Sequence, residues 1–118
     1  MKLMAYNPHL NHESYYFFFG KLANPLRMGI ILSLREGDKS VSEITEELQV
    51  EQSKISHALC SLKNCNILMM RQDGKQRIYS LNKDTIVPIL KLVEEHSNKH
   101  CRGNCSMIKN IKNKEEIQ

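Results

Sequence analysis

The chain has 118 residues, enough for one domain with a single core that needs no covalent staples. Lys and Arg number 17 against 13 Asp and Glu, a net charge of +4 that suits a polyanionic partner and falls far short of a histone-like composition. No run approaches the ~18 apolar residues of a membrane span, and MKLMAYNPHLNHES holds no segment resembling a secretory signal, so the expected setting is the cytoplasm, away from membranes.

Residues 1–12 are polar, contain Pro8 and read as a loose arm. From Glu13 to Ala23 the stretch ESYYFFFGKLA predicts a helix whose aromatic cluster is too apolar for a free surface, which points to burial against a partner subunit. Asn24 followed by Pro25 is an N-cap with proline at the first helical position. The helix it starts repeats Leu26, Ile30 and Leu34, with Ile31 alongside, and Gly37 ends it.

Ser40 to Lys63, SVSEITEELQVEQSKISHALCSLK, reads as two helices joined by a tight turn at Gln49 and Val50. Ser40 and Glu43 form a capping box, and Ile44 and Leu48 face inward. In the second helix, starting near Glu51, Ile55, Ala58, Leu59 and Leu62 make the buried stripe. At about 100° per residue Ser53, His57 and Cys60 fall opposite that stripe, flanked by Lys54 and Ser56, with Gln52 in the first turn. Such a short-polar outer face suits a helix lying in the major groove of DNA, with Gln52, Ser53, Lys54, Ser56 and His57 as the expected contacts.

The segments from Ile67 to Arg71 and from Gln76 to Leu81 read as strands around Asp73-Gly74, a hairpin signal. Arg71, Lys75 and Arg77 decorate this wing, placed for phosphate or the minor groove. Asp84 then caps a long helix in which Ile86, Ile89, Val93, His96 and His100 follow at spacings of three and four, a seam suited to helix pairing. The helical domain is expected over residues 13–103, and residues 104–118 form a polar, lysine-rich tail.

His96, His100, Cys101 and Cys105 make the pattern H-x-x-x-H-C-x-x-x-C, four soft or borderline ligands able to hold Zn(II), Cd(II) or Cu(I). A thiol switch between Cys101 and Cys105 is the competing reading, and histidines and thiols without a ligand are the third. In a reducing compartment the four cysteines read as thiols, ligands or switches rather than a disulfide framework.

With LANPLRMGIILSL, SVSEITEEL, QSKISHALCSLKNCNIL and RQDGKQRIYSL occurring in that order, the chain resembles the ArsR/SmtB family of winged-helix repressors over residues 18–100. The resemblance implies a mainly α fold with a small β-hairpin wing (α+β): a homodimeric winged helix-turn-helix paired through its first and last helices. It also implies binding to an operator palindrome and release when a metal or oxidant reaches an allosteric site. Ser40 and Ser42 stand where the arsenic- and lead-sensing branches place a thiol pair, and serine is a poor ligand for soft metals. Lys83 and Thr85 stand where the zinc-sensing branch has its early ligands, leaving His96 in register. Glu51 replaces the more usual serine at the recognition-helix cap.

The cadmium- and lead-sensing branch also suggests Cys60 and Cys65 as an alternative metal pair. Cys65 matches that pattern, Cys60 lies one residue early, and a five-residue step turns the two about 140° apart on a continuous helix. The reading is therefore a DNA-binding repressor released by a thiophilic metal or a thiol redox signal. A winged-helix protein-interaction module or anti-repressor that does not bind DNA is its alternative. No nucleophile and base occur at a recognisable spacing, so no enzyme is expected.

Overall fold

The computed structural model describes residues 12–101, which fall into two compact units divided between Asn82 and Lys83. In the first unit the order is α1 (His12–Leu22), α2 (Pro25–Leu34), β1 (Lys39–Ser40), α3 (Val41–Leu48), α4 (Gln52–Asn64), β2 (Leu68–Asp73) and β3 (Gln76–Leu81). The second holds α5 (Ile86–His96), which runs into a π-helical turn, Ser97–Cys101. Among the described residues no helix is long and apolar enough to cross a membrane.

The core of the first unit is aliphatic. Ile30 and Ile31 of α2, Ile44 of α3, Ile55, Leu59 and Leu62 of α4, and Ile67 and Leu68 entering the wing are all essentially inaccessible to water. Each such side chain stabilises the fold by roughly 1.5–3 kcal/mol relative to exposure, so this cluster fixes where α4 sits. The repeat of Leu26, Ile30 and Leu34 fades toward its start, since Leu26 is only half-buried.

Local signals set the helix ends. Asn24 Oδ1 accepts from the Arg27 N–H at 3.0 Å, with Pro25 next in the chain, so α2 starts where its cap says. Ser40 Oγ accepts from the Glu43 N–H at 3.2 Å while Glu43 Oε1 accepts from the Ser40 N–H at 2.9 Å, the reciprocal capping box expected for α3. Gln49 then takes the left-handed conformation, φ 55°, and its N–H returns to Thr45 O, which lets α4 leave at once on a new axis.

β2 and β3 pair antiparallel from Leu68↔Leu81 to Asp73↔Gln76, leaving Gly74 and Lys75 as a two-residue tip. Gly74 sits at φ +63°, a conformation that costs a side-chain-bearing residue and that this tight hairpin requires. The wing also has a third strand that the sequence did not lead us to expect. Lys39 and Ser40 pair with Tyr79 and Ile78, giving the order β1-β3-β2.

Two expectations for the second unit need correction. Thr85, not Asp84, is the N-cap of α5, and its side chain makes no capping bond. A cap at Asp84 would demand a bond from the nitrogen of Pro88, which has no hydrogen; the first helical bond instead runs from Ile89 N to Thr85 O at 3.2 Å. The α-helix also stops at His96, and His100 lies on the π-helical turn rather than on a continuous α-helical seam. Along that seam Ile86 is buried and Ile89 half-buried, whereas Val93 is 55% exposed; Leu92, outside the seam, is 64% exposed.

Candidate nucleic-acid interface

Ile55, Ala58, Leu59 and Leu62 are buried, which leaves Gln52, Ser53, Lys54, Ser56, His57 and Cys60 exposed along α4. The face expected to read bases is thus a free polar surface, offering hydroxyl, amide, imidazole and ammonium groups that match base-edge donors and acceptors. Glu51 is the N-cap of α4, its carbonyl accepting from Lys54 and Ile55 N–H, but its side chain makes no capping bond and its Oε1 accepts from Ser53 Oγ at 3.4 Å.

A polar groove of about 300 Å³ separates this helix from the wing. Gln52 and Ser56 form one wall, Ser40 and Ser42 at the start of α3 another, and Lys75 and Arg77 the third. The structure therefore brings the wing cations and the first turns of α4 onto one concave surface. Arg71 is placed differently. Its Nη1 donates to Asp38 Oδ2 at 2.7 Å, an exposed pair worth little to stability that partly neutralises the wing there. On the opposite side of α4, Ser53, Lys54 and His57 border a second groove, of about 290 Å³, whose other wall is the start of α2 with Asn24 and Arg27. Arg27 was not among the contacts expected from the sequence, and its place two residues after Pro25 gave no signal of it.

A polar clamp holds this surface in place. Lys39 Nζ donates to Ser33 O at 2.9 Å, Ser33 Oγ at 3.0 Å, Glu36 at 3.3 Å and Glu47 at 2.6 Å, joining the end of α2, strand β1 and α3. The bond from Lys39 holds the Glu47 carboxyl below its ordinary value, and Glu47 in turn raises the Lys39 ammonium. Glu43 is held low first by the Ser40 backbone N–H and then by the Ser40 hydroxyl. On the far side, Lys21 of α1 donates to Ser61 Oγ of α4 at 2.6 Å and lies 5.2 Å from the centre of the Phe17 ring.

Among the described residues no three His, Cys, Asp or Glu side chains converge as a metal site. His96 and His100 do come together, with ring centroids 4.9 Å apart at an interplanar angle of 39°. Two imidazoles fit as half of a tetrahedral set, not as a whole one. The Cys101 side chain and Cys105 lie outside the described residues. Cys60 and Cys65 are both free thiols in different surroundings. Cys60 is on the exposed face of α4 and accepts from Asn64 Nδ2 at 3.7 Å, whereas half-buried Cys65 lines a cavity of about 350 Å³ with Phe17 and Phe18 of α1. α1 leaves Tyr16 81%, Phe17 63% and Phe19 57% exposed.

Residues 24–69 match the family model described as bacterial regulatory protein, arsR family. The HTH-type transcriptional regulator Rv0081 of Mycobacterium tuberculosis is 33% identical over 79 residues, 66% of this chain and 69% of that one. Its crystal structure superposes with a TM-score of 0.70, covering 80% of this chain and 93% of that chain. The HTH-type transcriptional regulator NmtR of the same organism is 33% identical over 76 residues, 64% of this chain and 63% of its own length. A probable mercury resistance operon repressor of Streptomyces lividans is 28% identical over 75 residues, 64% of this chain and 60% of that one. The family match runs from the Asn24 cap of α2 through α3 and α4 to the start of β2, and the chain belongs to the ArsR family of winged helix-turn-helix transcriptional regulators.

Proposed function

We propose that this protein is a sequence-specific repressor that binds duplex DNA as a homodimer in the cytoplasm and releases it when a thiophilic metal or an oxidant acts near the end of α5. One observation carries the DNA-reading part: the polar face of α4 is exposed while its opposite face is buried in the core. Gln52, Ser53, Lys54, Ser56 and His57 would contact bases and nearby phosphates, and Lys75 and Arg77 the backbone, with Arg71 available once it leaves Asp38. Dimerisation is supported by the exposed Tyr16, Phe17 and Phe19 of α1 and Leu92 and Val93 of α5, a density of apolar side chains that a monomer surface rarely carries.

For the inducer, the pairing of His96 with His100 supplies two ligands, and Cys101 and Cys105 follow closely enough in sequence to complete the set. A thiophilic ion such as Zn(II) or Cd(II) is the class these donors suit, and the mercury-operon relative lends the reading support. Cys60 and Cys65 are the fallback pair. Glu51 favours the rival reading of a protein-interaction module, because it sets a carboxylate at the start of the recognition helix. Enrichment of duplexes from a random pool, followed by salt titration, separates the two: a repressor enriches a palindromic sequence and binds it with steep salt dependence, and an interaction module does neither.

A further inference from the structure

The recognition helix has two flanks, and different elements supply the cations on each. At about 100° per residue, Gln52 and Ser56 lie on one side of the exposed face, Lys54 on the other, and Ser53 and His57 along the crest between them. Beside Gln52 and Ser56 stand Lys75 and Arg77 of the wing. Beside Lys54 stands Arg27, the second cation of the groove between α2 and α4, which no carboxylate lines. Arg27 is steadied from behind: its backbone N–H donates to Asn24 Oδ1 at 3.0 Å and its Nη1 to Lys21 O at 3.4 Å. A guanidinium has five N–H donors in a planar fork, so this anchoring leaves donors for a phosphate.

A helix roughly 10–12 Å across fills a major groove about 12 Å wide, so the two phosphate backbones run along its two flanks. We propose that Arg27, together with Lys54, binds backbone phosphate of the strand opposite to the one that faces Lys75 and Arg77. The recognition helix is then held between two cationic walls, one from the wing and one from α2. This rests on the DNA-binding reading above and adds to it a contact from a helix outside the helix-turn-helix. Such a contact fixes the depth and tilt of α4 without carrying sequence information.

The test uses the full chain and two labelled duplexes of equal length, one enriched by the protein from a random pool and one unrelated, titrated from about 50 to 200 mM salt. Because a bound homodimer carries each substitution twice, Arg27→Gln should lower the steepness of log K against log salt by about 1.8, Lys54→Gln should do the same, and the double variant should lose about 3.6. Both duplexes should weaken by the same factor, and Arg27→Lys should regain most of the slope. An unchanged slope in Arg27→Gln, with the wild type still binding, overturns the inference and leaves DNA binding standing. A loss confined to the enriched duplex also overturns it, since that marks a base contact. If the wild type binds no duplex, the DNA-binding reading falls and takes the inference with it. Phosphate ethylation interference on the wild-type complex gives an answer that needs no variant: interference on both strands bordering one major groove is expected, and interference on a single strand refutes the second wall.

Discussion

Replacing Ser40 with alanine removes the acceptor that Glu43 N–H meets at 3.2 Å, at the junction where β1 turns into α3. Ser40 is only 3% exposed, so water does not readily take over the bond. Loss of a serine N-cap costs about 1 kcal/mol, within a range of roughly 0.5–2, or about fivefold in the folded-to-unfolded ratio. In a domain of this size that lowers the melting midpoint by about 4–8 °C, readable by circular dichroism and cross-checked by urea denaturation. The same box predicts a pH dependence. Because the Glu43 carboxyl is held below its ordinary value of 4.5, its stabilisation is present above that value and is lost as pH falls through the lower folded-state value. Glu43→Gln still accepts from Ser40 N–H but does not titrate, so it should be less stable than wild type at neutral pH, and the two should converge in acid. An Ser40→Ala midpoint within a few tenths of a kcal/mol of wild type, or a stability gap for Glu43→Gln that persists unchanged below the titration, would refute the reasoning.

Val93→Asp places a charge among exposed apolar residues of α5 and should yield monomers by sedimentation that bind the enriched duplex weakly; an unchanged dimer would remove α5 from the interface. Lys21→Met keeps the aliphatic stem but deletes the bond to Ser61, and Ser61→Ala should add little on top of it; a double-mutant cycle giving zero coupling would deny that the bond links α1 to the recognition helix. Cys101→Ser with Cys105→Ser should abolish release of DNA by Cd(II) or by oxidant while leaving the affinity of untreated protein intact. If Cd(II) still releases DNA from that variant, the response belongs to Cys60 and Cys65. Cd(II) binding to reduced wild type should liberate protons and raise the melting temperature, whereas a thiol switch should need oxidant and reverse with reductant.

What could be read in the sequence was what depends on near neighbours. The Asn24-Pro25 start, the Ser40 and Glu43 box and the buried stripe of α4 all lie within a turn or two of chain, and each appears where the spacing put it. Strand β1 could not be read, because two residues become a strand only by pairing with Ile78 and Tyr79, far along the chain. The same holds for Arg71: its charge was visible, but its partner Asp38 lies 33 residues away. Asp84 misled because residue type outweighed the missing hydrogen of Pro88. Arg27 escaped notice since nothing local marks an arginine in a first helical turn as facing another helix's outer side.

The central claim is that the exposed face of α4 reads base sequence, and it is most directly tested by measuring how well Ser53→Ala with His57→Ala distinguishes the enriched duplex from an unrelated one. Base-edge contacts are worth about 1–3 kcal/mol each, so the ratio of the two affinities should fall at least tenfold while the salt slope stays close to that of wild type. A ratio equal to that of wild type would contradict the account and place recognition elsewhere on the molecule.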